Sequence, residues 1–524
     1  MNLPTSSVTS RIPQLVLWVG VLAMLAAGLL LFTTFWGDST IYLPYARSIA
    51  AGDFFSYNPG QFSSGSTSPL WAVLLSVPYL LGADVWGAKL LSLLVCVAAF
   101  VVLMRLVRAT TGGSAVAAIV ALYAVEMLTF FGVMMYESGL IVLLVSLSLL
   151  CSLRIAEALR SGNNPSLHAW LRLAAVWGAI PLTRPDATVL VVLQLGALWW
   201  FSGGGSWRVL ARLLSVGVIA AVPAVCYFGY SYLTVGAFSV SSVCRAFALQ
   251  ESAQRIGPVA YSKPALEYLG GILYMILPAA VGFDLLRRQP ERWLGWAAAA
   301  GVLIYSFLLV FVSPVTNDLA RYFLPIAPLL VVGVATAFGR WERQAEQEGG
   351  KGWSIALIAI ALIFLIKPVG AVIGQALEQR TRGYTFDEIV EKEAAQKINA
   401  IAPPGATVLA YEVQDRYYLR PDLQLLSLDG ITDGKVAPYL ASGDMVAFLK
   451  QYRPGYFLAN DAVEYRPYLR KGLLFKVVAA FQADTTLRQF TSDGMTFHLL
   501  EHRARPMPKG FAGWRALFTI QYHK

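Results

Sequence analysis

Hydrophobic residues fall in long runs along this chain, separated by short polar stretches. The runs are about 20 residues long, the length an α-helix needs to cross the hydrocarbon core of a bilayer. About eleven spans are expected, roughly at 14–35, 86–108, 113–134, 139–155, 169–183, 186–202, 209–234, 267–286, 293–313, 322–340 and 353–375. The first run, Leu15–Phe35, is too long for a signal-peptide core and no small-residue cleavage site follows it, so it reads as a retained span. Pro69–Gly82 is apolar but short and carries Pro78, so it is expected to lie at the interface or re-enter rather than cross.

The pattern changes past residue 375. Helix-like text over Asp387–Ile401 is followed by strand-like runs at Ala406–Tyr411, Gln424–Leu428, Tyr456–Ala459, Leu474–Ala480 and Thr496–Leu500. Turns such as Pro403-Pro404-Gly405 separate them. The expected fold is therefore a polytopic α-helical membrane protein over residues 1–375, with a C-terminal extracytoplasmic α/β domain over residues 376–524. Two long outer loops are expected within the membrane part, at 35–85 and 235–266.

Composition agrees with this class: 57% of the 524 residues are hydrophobic and 14% charged, against roughly 25% charged in soluble domains. Much of the net charge of +10 is a topology signal. Arg105 and Arg108, Arg154, Arg160 and Arg172, Arg208 and Arg212, Arg287, Arg288 and Arg292, and Arg340, Arg343 and Lys351 all fall in alternate loops. By the positive-inside rule those loops and the N-terminus face the cytoplasm, which removes the reason to invoke nucleic-acid binding. Cys96, Cys151, Cys226 and Cys244 form neither a disulfide framework nor a CxxC pattern. His168, His498, His502 and His523 all lie outside the polar membrane loops, which speaks against histidine acid–base chemistry or zinc ligation there.

With that orientation, the costly polar residues at span ends collect on the outer side. Asp38 follows the first span, close to Tyr42, Tyr45 and Arg47. Tyr136-Glu137-Ser138-Gly139 and Thr183-Arg184-Pro185-Asp186 join later spans, Arg321-Tyr322 opens another, and Arg245 and Lys263 lie in the second long loop. Such a face can bind an anion through its cations and activate a nucleophile through a carboxylate. Each residue also has a plainer reading. Arg184 and Asp186 can pair to hold a turn. Glu137 can cap the next helix. Arg321 can anchor at the interface, and Tyr42, Tyr45 and Trp71 can form an aromatic belt.

The text GDSTIYLPYARSIAAGDFFSYNPG followed by GSTSPLW resembles the GT-C superfamily of membrane glycosyltransferases. It is most similar to the branch of bacterial arabinofuranosyltransferases, related to protein mannosyltransferases and lipid A aminoarabinose transferases. Tyr136-Glu137-Ser138-Gly139-Leu140 resembles the family's M-E-T/S-x-L, Thr183-Arg184-Pro185-Asp186 its R-P-E/D, and Arg321-Tyr322-Phe323-Leu324-Pro325 its R-Y-x-L-P. Leu428-Asp429-Gly430-Ile431-Thr432-Asp433 resembles its D-x-D-G-L-T-D. The resemblance covers most of the chain and is densest over residues 35–190.

This resemblance implies an enzyme that takes one sugar from a polyprenyl phosphate and passes it, with inversion, to an acceptor hydroxyl on the outer face. A pentofuranose is the first expectation for the sugar and a hexose the second. The acceptor is a glycan, lipid or protein, and the setting a bacterial inner membrane. Asp38 is then the general base. Tyr42, Tyr45, Arg47, Glu137, Arg184, Asp186, Arg245, Lys263 and Arg321 are the candidates for binding donor and sugar. The sequence departs from the family at Gly37, where many relatives carry a second acid. A divalent cation wants several oxygen ligands, so this weakens the case for a bound metal. A transporter or flippase of a lipid-linked sugar also gathers polar residues in a helical bundle, but needs them at mid-bilayer or on both faces. A non-catalytic scaffold for envelope assembly would tolerate loss of Asp38.

Overall fold

The computed structural model describes residues 12–33, 41–202, 204–239, 258–288, 292–312, 319–347, 394–410, 416–428, 430, 432, 434–459, 472–504 and 514–523. The expected span at 353–375 and residues Asp38 and Arg245 lie outside them.

Among the described residues, seven helical stretches are long and apolar enough to cross a bilayer: Ile12–Leu30, Asp84–Thr111, Ser138–Arg160, Pro185–Ser202, Trp207–Val235, Arg292–Val312 and Arg321–Ala345. An eighth is a bent pair, Ser262–Gly271 with Leu273–Arg287, meeting at 68°. The chain is a multi-pass membrane protein. We number the helices α1 (Ile12–Leu30), α2 (Tyr42–Ala50), α3 (Pro69–Leu80), α4 (Asp84–Thr111), α5 (Ala115–Ala121), α6 (Tyr123–Val133), α7 (Ser138–Arg160) and α8 (Leu167–Thr183). They continue with α9 (Thr188–Ala197), α10 (Trp207–Val235), α11 (Pro258–Gly271), α12 (Leu273–Arg287), α13 (Arg292–Phe307), α14 (Leu319–Phe323) and α15 (Ala327–Gln347).

Three sequence expectations change here. The expected span 113–134 is broken into α5 and α6 at Leu122, where Leu122 N–H bonds to Ile119 C=O and Val125 N–H to Leu122 C=O. Those i→i−3 bonds tighten the chain and interrupt the α-helical ladder. The second outer loop, expected to run to 266, turns helical by Pro258, and its helix α11 forms the first limb of the bent pair. The third change lies in the C-terminal region and is described below. Helix α3 has twelve residues, so it is about 18 Å long and too short to cross. It buries Trp71 and Leu75 and exposes Val73, Val77 and Leu80.

The bundle is built around the stretch Arg321–Ala345, of which 89% is buried in its most apolar window. Helices α1 and α10 lie at the rim, with 22% buried in each. Where α12 meets α15 the backbones touch: a Cβ on Gly282 would stand 1.8 Å from the Gly333 carbonyl oxygen. Only glycine fits on that seam.

The C-terminal region holds α16 (394–401), β3 (Thr407–Ala410), β4 (Gln424–Ser427), α17 (Ala437–Ser442), α18 (Met445–Tyr452), β5 (Tyr456–Ala459), α19 (Leu473–Ala483), β6 (Gln489–Ser492), β7 (Met495–Ala504) and β8 (Trp514–Tyr522). A small hairpin, β1 (Ser56–Asn58) with β2 (Gln61–Phe62), precedes them in the first loop. The main sheet runs β4-β3-β5-β8-β7-β6, parallel across its first three strands and antiparallel beyond. The run Leu474–Ala480, expected as a strand, is helical in α19. Its buried positions, Leu473, Leu474, Val477, Val478 and Phe481, follow the helical rather than the two-residue period.

Successive strand residues face opposite sides of the sheet. Leu409, Leu426, Phe457 and Phe518 join the core under the region's own helices α18 and α19. Their neighbours Val408, Leu425, Leu458 and Leu517 join a different core with Ile41, Tyr45, Phe55 and Tyr57 from the first loop. The sheet therefore has one face closed by its own helices and the other closed by α16 together with the segment around α2.

Candidate functional site

Glu137 sits at the centre of the site. Helix α6 ends at Val133, and Met135 takes a left-handed conformation, φ 59°. The Trp71 indole N–H holds the Met135 carbonyl at 2.8 Å, and the chain turns at once into α7. This leaves the Glu137 side chain 2% exposed at the mouth of α7. It makes no cap hydrogen bond to that helix, which sets aside the capping role.

Three elements converge on its carboxylate. Arg184 is the last residue before Pro185, and a residue before proline is driven out of helical conformation. Its φ and ψ are −149° and 108°, which swings the side chain across the bundle. Arg184 Nη1 donates to Glu137 Oε1 at 3.1 Å. Arg321, on the short helix α14, donates from Nε to Oε1 and from Nη2 to Oε2, both at 3.3 Å. Tyr42, on α2, donates its hydroxyl to Oε2 at 2.8 Å.

A second carboxylate completes the arrangement. Asp186 accepts from Arg184 Nε at 3.2 Å and Nη2 at 2.8 Å. The Tyr305 hydroxyl, from α13, donates to Asp186 at 2.5 Å. Aromatic faces cover the guanidiniums: Arg184 lies 4.9 Å from the Tyr322 ring centre, and Arg321 lies 4.3 Å from that of Tyr136. The turn pairing of Arg184 with Asp186 is real, but it is one arm of a larger cluster. Arg321 is 4% exposed, so it does not lie at the membrane surface as an interfacial anchor. Trp71 is fully buried and therefore not part of a belt.

Burial alone would push the Glu137 carboxyl up. The Arg321 and Arg184 guanidiniums and the Tyr42 hydroxyl outweigh it and hold the group below the usual carboxylate range. Tyr42 moves the other way, raised by burial and by the neighbouring Glu137 charge, and stays protonated. Glu137 is thus an ionised acceptor whose lone pairs are already in use. It can fix geometry but is poorly placed to take a proton. Among the described residues the cluster sums to zero charge, two guanidiniums against two carboxylates.

The other candidates lie elsewhere. Tyr45 is fully buried in the core shared with the C-terminal region. Its hydroxyl is 2.7 Å from Ser63 Oγ, which in turn bonds the Thr432 carbonyl. Arg47 Nη2 donates to the Tyr417 carbonyl at 3.0 Å, and its guanidinium lies over the Tyr417 ring. Both therefore join the first loop to the C-terminal region. Lys263 is exposed and pairs with Glu267, one turn along α11. It stands apart from Glu137.

Several residues were not singled out by the sequence. Tyr305 stands with Ser306 in an otherwise apolar span, a signal of the kind that intramembrane polar groups give. Tyr136 and Tyr322 stand next to Glu137 and Arg321, so their role as ring covers was open to reading. Lys89, buried in α4, donates to the Phe32 carbonyl at 2.7 Å, just past the end of α1. An apolar cavity of about 40 Å³ lies near Arg321, lined by Phe323, Leu324, Tyr268, Met275, Leu103 and Val142 among others.

No protein-family profile matches the chain, and no curated protein sequence does either. Solved structures do. The chain superposes on ArnT from Cupriavidus metallidurans bound to undecaprenyl phosphate with a TM-score of 0.57 and 16% identity, covering 95% of this chain and 97% of that one. The apo state of the same protein gives a TM-score of 0.52 at 16% identity, with the same coverage. A looser superposition, TM-score 0.47 at 15% identity, is found on the arabinofuranosyltransferase AftD from Mycobacteria, covering 96% of this chain and 41% of that one. At 16% identity the ArnT likeness is one of architecture, spread over nearly the whole of both chains. The chain shares the overall fold of ArnT.

Proposed function

We propose that the protein is an inverting glycosyltransferase that moves one sugar from a polyprenyl-phosphate donor to an acceptor hydroxyl at the outer face of a bacterial inner membrane. One observation carries this reading: Tyr42, Glu137, Arg184 and Arg321, from four separate parts of the chain, converge in one buried arginine–carboxylate–tyrosine cluster. The solved ArnT structure with undecaprenyl phosphate supports a donor of this class. A pentofuranose is the sugar we favour.

The reaction needs a base, a fixed phosphate and a held sugar. The acceptor oxygen attacks the anomeric carbon, its proton goes to a carboxylate, and the bond to phosphate breaks with its electron pair leaving on the phosphate oxygen. Glu137 is already saturated by donors, so we assign the base to Asp38, four residues before Tyr42 in the sequence. Arg184 already bonds Glu137 and Asp186 and meets the Tyr305 hydroxyl, so of its five N–H donors only what is left over can serve phosphate oxygens. Arg245 is a second candidate for the same anion. Glu137 holds Arg184, Arg321 and Tyr42 in register, so that donors stand where negative charge grows.

The test is Asp38→Asn in purified protein, assayed with a set of polyprenyl-phosphate sugars and membrane extract. Transfer is expected to fall by roughly 10²–10⁴-fold, the range for losing a general base, with a monodisperse, folded protein. Near-normal turnover removes Asp38 from the role. Movement of the lipid-linked sugar across vesicles without transfer would favour a flippase.

A further inference from the structure

The crowding of hydroxyls at residues 63–68 is not used by the mechanism above. The stretch reads Ser63-Ser64-Gly65-Ser66-Thr67-Ser68, and it lies between the Glu137 cluster and the C-terminal sheet. Thr67 Oγ1 is 3.0 Å from the Tyr42 hydroxyl. Ser63 Oγ accepts from Gly65 N–H at 3.1 Å and bonds the Thr432 carbonyl. Residue 432 is thus held against the start of the hydroxyl-rich stretch. The hydroxyls of Ser66, Ser68 and Thr432 are buried, at 3%, 0% and 0% exposure, and have no hydrogen-bond partner among the described residues. Ser68 stands at the N-cap of α3 yet makes no cap bond. Buried hydroxyls are nearly always paired, and leaving one unpaired costs stability. Other buried hydroxyls in the bundle also lack a partner among the described residues, Ser146 and Ser152 among them, but these three come from two parts of the chain and gather beside a charged cluster.

Sheet topology points to the same end of the sheet, with Thr432 following the edge strand β4 beside the switch point rather than at it. The parallel strands run in the order β4-β3-β5, so the chain passes from β3 to one side and later returns to the other. Open parallel sheets bind ligands outside the carboxyl ends of their strands at such a switch point. Thr432 follows β4 at that end.

We propose that Ser66, Ser68 and Thr432 form a subsite for the hydroxyl groups of a sugar ring, and that this ring belongs to the acceptor. The second half of this proposal rests on the glycosyltransferase reading. A sugar suits the site because each of its hydroxyls donates and accepts, as each orphaned side chain does.

The test uses the full chain with Thr432→Val and, separately, Ser68→Ala. If the hydroxyls serve only a ligand, removing one leaves the ligand-free melting temperature unchanged or raised. Acceptor KM should rise roughly three- to tenfold for one lost hydrogen bond, with donor KM and saturating kcat unaltered. A lowered melting temperature would show that the fold itself satisfies these groups, and unchanged acceptor KM would show that no acceptor touches them; either overturns the proposal. Saturation-transfer NMR with methyl arabinofuranoside and methyl mannopyranoside reads the subsite without turnover. Contact seen in the native chain and lost in Thr432→Val supports a sugar subsite even if no polyprenyl-phosphate donor is ever used. Equal saturation of both proteins, or none of either, overturns it.

Discussion

Glu137 accepts from Tyr42, Arg184 and Arg321 while 2% exposed, so its removal takes a buried carboxylate away from two guanidiniums, of which Arg184 keeps Asp186. Breaking a buried ion pair by deleting one partner costs about 3–5 kcal/mol. Glu137→Gln is therefore expected to lower the melting temperature of the detergent-solubilised protein by several degrees and to weaken donor binding. An unshifted melting curve would show that the cluster is not structural. The acid limb follows with its sign. The folded carboxyl lies below its ordinary value, so the stability it contributes is complete above the unfolded value of about 4.3. That stability is lost as pH falls through the lowered folded value, and Glu137→Gln should flatten the loss. At this scale the sequence was partly legible. Arg184, Asp186, Glu137 and Arg321 announce themselves as charges at span ends, and the structure brings those four together. Tyr45 and Arg47 carry the same kind of signal but serve a seam between two parts of the chain, which only three-dimensional packing decides. Tyr305 meets Asp186 from 119 residues away, a separation that no local pattern encodes.

Helices and strands were legible where their period was clean. Seven of the expected apolar runs became spans among the described residues, and β3, β4 and β5 appear within a residue or two of the short apolar runs expected as strands. Leu473–Ala483 misled because Val477 and Val478 favour strands, whereas burial every three to four residues settles it as helix. The edge strand β4 shows what an element gains from a distant partner. Asn58 Nδ2 donates to the Leu425 carbonyl at 2.9 Å, and Leu425 N–H donates to Asn58 Oδ1 at 2.8 Å. One side chain thus caps a sheet edge that would otherwise expose its backbone. Asn58→Ala removes both bonds, a loss of about 1–3 kcal/mol. Hydrogen exchange over residues 424–427 should then accelerate, with the spans unaffected. Unchanged protection there would mean that β4 is held by β3 alone.

For the molecule as a whole, the boundary at 375 is a change of composition but not a gap in the packing. Ile41, Tyr45, Phe55 and Tyr57 share a core with Val408, Leu425 and Leu517, and Arg416 reaches across to the Tyr57 carbonyl at 3.0 Å. A chain ended before residue 394 would leave those side chains bare. It is expected to elute as aggregate in size-exclusion chromatography, whereas a monodisperse truncated bundle would show the shared core to be dispensable. The sequence could place the two parts on one side of the membrane but not join them, because most joining residues are ordinary apolar and hydroxyl side chains and the polar ones, Arg47, Asn58 and Arg416, bond distant backbone groups that no local pattern marks. The balanced charge of the Glu137 cluster has its own consequence. Two cations against two anions at close range cast little field beyond their own neighbourhood, and what remains is further screened by salt. This cluster therefore does not draw a charged lipid from afar, and an anionic headgroup would reach it by lateral drift within the leaflet. Its hold on that headgroup would be a matter of fit at contact rather than of capture at a distance.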